Sequence, residues 1–208
     1  MTSAEPIGSL AHLSYLAMLD PILSRHIQRS TVTTYEAFLE CLNHDFDDAC
    51  RMLQERHDQY HDKKEDLITS ALVISLASMG YNATHDTKVG GHVDVVVRGK
   101  KPAFLWLGEA KRDTSLAWIG QGFDQLCERY ATGDEIQNNG ALIIYCQKGN
   151  AADCLARWEV KLKELALPAF KSEACPSKPR LAFISEHKLR SSGTPYIVRH
   201  VAVNLKYK

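Results

Sequence analysis

No apolar run in the 208 residues approaches the roughly 20 that a helix needs to span a bilayer, so the sequence offers no membrane segment. Net charge is missing too. The 25 Lys and Arg balance 25 Asp and Glu, and no overall field draws the chain to a polyanion. There are no internal repeats or low-complexity tracts, which excludes repeat arrays and leaves an ordinary folded unit. The opening Met1-Thr-Ser-Ala-Glu-Pro6 lacks the basic flank and apolar stretch of a secretory signal, so an unprocessed, cytoplasmic chain is expected. Cys41, Cys50, Cys127, Cys146, Cys154 and Cys175 are scattered without paired short spacings, the usage of a reducing compartment. Cys41/His44 and His57/His61 do have helical spacings. Without the tight knuckles of structural zinc sites, they read as amphipathic helix without a metal.

What is present suits a globular chain: 45% hydrophobic and 24% charged residues, and length for one well-buried core plus an appendage. Residues 8–62 are helical in character, with Leu10, Leu13, Ala17 and Met18 at helical spacing and an interruption at Asp20-Pro21. Thr33-Thr-Tyr-Glu36 resembles a capping box before Ala37–Leu42, and a further helix follows through Ala49, Met52 and Leu53. The acidic excess of this segment discourages DNA contact and suits a packing, homodimer or partner surface. From Lys63 onward the pattern becomes helix Lys64–Met79 capped by Gly80, then strands Tyr81–Lys88, His92–Arg98 and Ala103–Lys111. Helix Leu116–Tyr130, buried strand Ala141–Cys146, helix Ala151–Leu165 and closing strands Leu181–Ile184 and Tyr196–Val203 complete it. The expectation is an α/β domain over 63–208, a mixed β-sheet flanked by helices, with a helical extension over 1–62.

Charge is unevenly spread. Residues 1–147 hold 13 Lys and Arg against 20 Asp and Glu, whereas residues 148–208 hold 12 against 5. Lys178, Arg180 and Arg199 belong to this basic part, which is either a flank for a phosphate backbone or a set of solvated faces.

Strand alternation puts Glu109 and Lys111 on one face with the Ala110 carbonyl between them. With Gly99-Lys-Lys-Pro102 as the hairpin loop, Arg98 pairs with Ala103 and Asp94 falls opposite Leu107. That sets Asp94 diagonal to Glu109 on the same face, about 7–8 Å apart. A loop one residue longer or shorter would reverse the parity. Two carboxylates at the end of an apolar sheet repel each other, and a hard dication relieves them. Mg²⁺ or Mn²⁺ takes carboxylates, a carbonyl and waters, which Asp94, Glu109 and Ala110 can supply together with a substrate phosphate. Such a cation activates water and polarises a phosphoryl oxygen, while Lys111 orients the water or offsets charge in the transition state. That is phosphodiester hydrolysis in outline, although the same residue types also form ordinary strand-end ion pairs.

Gly91-His-Val-Asp94 followed by Leu107-Gly-Glu109-Ala-Lys111 resembles the PD-(D/E)XK nuclease superfamily, over about residues 63–147. The resemblance implies a restriction-endonuclease-like fold, Asp94 and Glu109 as metal ligands and Lys111 as the catalytic lysine. Val93 stands where the name pattern has proline, a position that varies in the superfamily. The family's helix glutamate corresponds to Glu65, a further ligand, although an acid at a helix N-terminus also answers the helix dipole alone. On Leu116–Tyr130, a stripe of Leu116, Ile119, Phe123, Leu126 and Tyr130 is core. Trp118, Gln121, Gln125 and Arg129 lie opposite, facing solvent or gripping a nucleic-acid strand. RecB-like nucleases carry a Gln and a Tyr on this helix. Gln125 and Tyr130 look similar, but their spacing is one residue longer, which puts Tyr130 on a different face and leaves Gln121 and Gln125 as the residues carried over. His92 shares a face with Asp94 and is expected in a supporting hydrogen bond or in packing. The implied function is a metal-dependent nuclease, a DNA endonuclease with RNA not excluded, of the kind serving restriction, repair or anti-phage defence. Its rivals are a nuclease-fold module without turnover that binds nucleic acid or protein, and an assembly protein working through its N-terminal helices.

Overall fold

The apolar alternation of the middle of the chain builds one mixed sheet, wrapped by helices on both faces. A computed structural model describes residues 9–99 and 104–207. Helices α1 (Leu10–Leu19), α2 (Pro21–Thr31), α3 (Tyr35–Glu55) and the single turn α4 (His57–Tyr60) precede α5 (Glu65–Ser78). Strands β1 (Asn82–Lys88), β2 (His92–Arg98) and β3 (Leu105–Arg112) follow, then α6 (Leu116–Asp124), which runs on into a π-helical turn over Gln125–Tyr130. The chain closes with β4 (Asn139–Cys146), α7 (Ala151–Glu164), β5 (Lys171–Ala174), β6 (Ala182–Lys188) and β7 (Pro195–Asn204). The strand order is β1-β2-β3-β4-β7-β6-β5, with β3, β4 and β7 parallel and the remaining pairs antiparallel.

Period-two burial divides the core. On one face α3 and α5 place Phe38, Leu42, Phe46, Ile68 and Leu72 against Val95, Trp106, Ile143 and Val201. On the other, α6 and α7 place Ile119, Phe123, Trp158 and Leu162 against Val96, Leu107, Ile144 and Ala202. Strands β3 and β4 are covered on both sides, which is why Leu105–Lys111 and Gly140–Cys146 are buried throughout. No helix among the described residues is long and apolar enough to cross a membrane. The six cysteines are free thiols and all buried.

The local chemistry explains most boundaries. Asp20 caps α2 through the Ile22 and Leu23 amides, with Pro21 in the first helical turn. Thr34, not Thr33, caps α3 by accepting from the Ala37 amide, which puts Ala37 and not Glu36 at the third helical position, so the expected capping box does not form. The two helices expected between Ala37 and Leu53 are one continuous helix, because nothing between Leu42 and Ala49 breaks it. Strand β5 had no apolar pattern to announce it: Lys171-Ser-Glu-Ala174 is a short edge strand.

The β2–β3 register differs from expectation by two residues. Arg98 pairs with Leu105 and Val95 with Gly108. Residues 100–103, which include most of the expected hairpin loop and Ala103, lie outside the described residues. An even shift preserves parity, so Asp94 and Glu109 still share a face, but continuation of the ladder sets Asp94 opposite Glu109 instead of Leu107.

Candidate active site

The site forms where the β2–β3 ladder opens. Beyond the Val95–Gly108 pair, the Ala110 amide donates 2.8 Å to Asp94 Oδ2. Glu109 and Lys111 follow from β3 on the same face, with side chains only 2% and 6% exposed. Glu65 arrives from the first turn of α5, which packs on the opposite face of the sheet, by reaching over the end of β3. Its Oε2 accepts from the Arg112 amide at 2.8 Å. That first turn is held by Thr69, whose hydroxyl bonds the Glu65 carbonyl and the buried Tyr145 hydroxyl. Gln147 fixes the preceding loop by donating to the carbonyls of Tyr60 and Lys63.

Three carboxylates thus surround one ammonium. Lys111 Nζ lies 2.6 Å from Glu109 Oε1, 3.7 Å from Glu65 Oε1 and 3.8 Å from Asp94 Oδ2, and it donates to the Ala110 carbonyl at 3.0 Å. Helix α6 lets the lysine through at Gly122, where an added Cβ would stand 2.6 Å from Lys111 Cγ. One turn earlier, the half-exposed Trp118 ring sits 5.4 Å from Nζ at the mouth of the cluster.

Burial and crowding set the protonation. Desolvation, then the charge of Asp94, pushes the Glu109 carboxyl up to about 7, against the opposing pull of Lys111. Burial also raises Asp94 despite the Ala110 amide and Lys111, and raises Glu65 despite Lys111. Burial pulls Lys111 down, but Glu109, Asp94 and Glu65 outweigh it and hold the ammonium above its usual range. Glu109 Oε2 is buried with no hydrogen-bond partner. An orphaned carboxylate oxygen among hard oxygen donors is what a divalent cation would complete, so Asp94, Glu109, Glu65 and the Ala110 carbonyl match Mg²⁺ or Mn²⁺ in donor type, with the Lys111 ammonium standing among them.

A pH dependence follows. An acid whose folded pKa is raised binds more protons folded than unfolded, so its contribution falls as pH rises from the unfolded value of 4.5 to about 7. Asp94 and Glu65 act in the same sense, whereas His187 and His200, held neutral by burial, oppose it. The difference between wild type and Glu109→Gln isolates the effect: without divalent metal, the variant gains on the order of 2–3 kcal/mol relative to wild type between pH 4.5 and 7. Urea titrations at several pH values in EDTA would measure it, and a constant difference would show that Glu109 is not raised.

Of the residues proposed from sequence, Asp94, Glu109, Ala110, Lys111, Glu65 and Trp118 converge. Trp118 is exposed, as its helical phase predicts, and its ring also reaches the ammonium of Lys111. Gln125 is half-buried, while Gln121 and Arg129 are exposed. Tyr130 is buried beside Ile119, Phe123 and Leu126, as its place in the core stripe predicts. The helix closes in a π-turn, marked by the Ala131 amide bonding the Leu126 carbonyl. Tyr130 is buried, donates 2.7 Å to the His92 carbonyl and packs on Gly91, and desolvation with the charges of Glu109 and Asp94 pushes its phenol up to about 12. His92 is neither packed nor bonded to Asp94; its exposed ring pairs with Asp86 at 2.8 Å.

The basic C-terminal residues are partly spoken for. Arg199 is buried against Asp47, and Lys178 pairs with the same carboxylate, so both serve the α3–sheet contact. Lys161 and Lys163 pair along α7 with Glu164 and Glu159. Elsewhere, ligand atoms of His44, Asp45 and Asp48 lie within 4.8 Å of one another, the one such trio among the described residues. Arg25, Arg29 and Arg51 already neutralise it. The carboxylates around Lys111 stand further apart than that. His57 and His61 lean instead on the Tyr207 ring. Set beside known proteins, the chain matches no family model, no curated protein and no solved structure.

Proposed function

We propose that the chain is a metal-dependent nuclease of restriction-endonuclease-like fold that hydrolyses phosphodiester bonds in DNA. The observation that carries this reading is the buried, partnerless Glu109 Oε2, set among Asp94, Glu65 and the Ala110 carbonyl with a lysine at their centre. Asp94, Glu109, Glu65 and Ala110 would hold Mg²⁺ or Mn²⁺, which when bound supplies an acidified water and polarisation of a phosphoryl oxygen. Lys111 donates to a phosphoryl oxygen as charge grows on it, and the buried walls of β3, β4 and α6 keep the surrounding dielectric low. Trp118 offers a ring face for a base beside the scissile phosphate.

Supercoiled plasmid incubated with Mg²⁺, Mn²⁺, Ca²⁺ or EDTA tests the proposal. Nicking with Mg²⁺ or Mn²⁺ and none with EDTA is expected; identical behaviour in all four would overturn it. Trp118→Ala is expected to raise KM roughly five- to a hundredfold, since base stacking contributes about 1–3 kcal/mol. Its melting temperature should hardly move, because the ring is 41% exposed and such sites usually shift stability by about 0.5 kcal/mol or less. Steady-state kinetics alongside thermal melts would check both.

A second reading, a nuclease-fold module that binds without turnover, draws on one observation: Lys111 already partners Glu109 and Ala110, a contact sufficient for a structural ion cluster. In that case the cluster takes up no divalent metal.

A further inference from the structure

We infer that the bare face of α1 and the start of α2 is a self-association surface on which a second copy of this chain docks. The ten residues of α1, Leu-Ala-His-Leu-Ser-Tyr-Leu-Ala-Met-Leu, include no Asp, Glu, Lys or Arg, and neither α1 nor α2 has a buried residue. Leu10, Tyr15, Met18, Leu19 and Ile22 are exposed by between 59% and 86%. Leu10, Leu13, Ala17 and Ile27 line an apolar groove of about 480 Å³ between the two helices. A helix shorter than about 12–15 residues is marginal alone in water, and one that is apolar all round belongs in an interior.

The inner side of this hairpin is anchored and its outer side is not. Arg25 and Arg29 of α2 pair with Asp48 and Asp45 of α3, which holds the hairpin against the body. The six large exposed side chains of the hairpin offer on the order of 800 Å², the area that a stable complex buries per partner. Large exposed apolar side chains so concentrated on one hairpin mark an interaction surface.

Charge selects the occupant. A two-fold contact sets the same patch of each copy against itself; α1 carries no ionised side chain to repel its mate across the axis, and Asp20 beside it is turned to the Ile22 and Leu23 amides at the start of α2. Docking on an anionic membrane calls for Lys or Arg on the polar flank of the helix. Helix α1 has none, and the α2 arginines are engaged by Asp45 and Asp48.

Sedimentation velocity on the full chain over a dilution series tests the inference, with no dependence on cleavage. Wild type is expected at the mass of two chains, dissociating to one on dilution. Met18→Glu/Ile22→Glu, at positions 86% and 78% exposed, is expected as a single chain at every concentration with an unchanged circular dichroism spectrum. A wild type that stays a single chain overturns the inference, whether or not it co-sediments with phosphatidylserine vesicles. So does a folded variant that dimerises as wild type does.

Discussion

Asp94→Asn and Glu109→Gln are expected to lower plasmid nicking by several orders of magnitude while leaving the fold as stable as wild type or more so. Both exchanges keep the side-chain volume and remove one negative charge from the group that would hold the cation. In Asp94→Asn the new side-chain amide oxygen still accepts from the Ala110 amide, so the opened end of the β2–β3 ladder survives. At position 109 the exchange removes a carboxyl whose ionisation is opposed by burial and by Asp94, so the metal-free protein gains stability above neutral pH. Loss of activity with gain of stability is the mark of a group kept for function at the expense of the fold. Nicking rates together with melting curves check it, and a variant that is inactive only because it is unfolded would fail the melting test.

Lys111→Met is expected to differ in kind. Losing one donor to transition-state charge commonly lowers rate on the order of 10²–10³-fold, less than losing a ligand to the cation. Stability responds the other way from Glu109→Gln. Removing the ammonium leaves Asp94, Glu109 and Glu65 facing one another without a counter-charge, and breaking a buried pair from one side is destabilising by about 3–5 kcal/mol. A divalent metal held by the carboxylates would replace the missing charge, so Mg²⁺ is expected to restore most of the lost melting temperature in Lys111→Met and to shift wild type less. Melts with and without Mg²⁺ measure this; a deficit that metal does not recover would mean that the carboxylates do not share a cation.

The degree to which the site is legible in advance follows from which physical rules govern each part. Period-two alternation is rigid, so Glu109 and Lys111 on β3 were legible, and Asp94 remained on their face because its register error was even. Glu65 was legible only as an acid at a helix start; its route over the end of β3 to the Arg112 amide depends on how α5 crosses the sheet, which sequence pattern does not encode. A uniform 3.6-residue period places Trp118 outward, where it is exposed, but does not mark Gly122 as the gap that admits Lys111 to within 5.4 Å of its ring. The same period places Tyr130 in the core, where it is buried, but does not reveal the π-turn in which the helix ends. The charge of Lys178 and Arg199 was visible, but the partner Asp47 lies on α3, about 130 and 150 residues away in the chain. Local pattern therefore revealed the strand-borne residues, and long-range packing supplied the rest.

Calorimetric titration of Mn²⁺ into metal-free wild type and Glu109→Gln, side by side at pH 8, bears most directly on whether these residues form a cation site. A site built around Glu109 requires saturable heat in wild type and its near disappearance in the variant. Equal heats in the two proteins, or none in either, would contradict it.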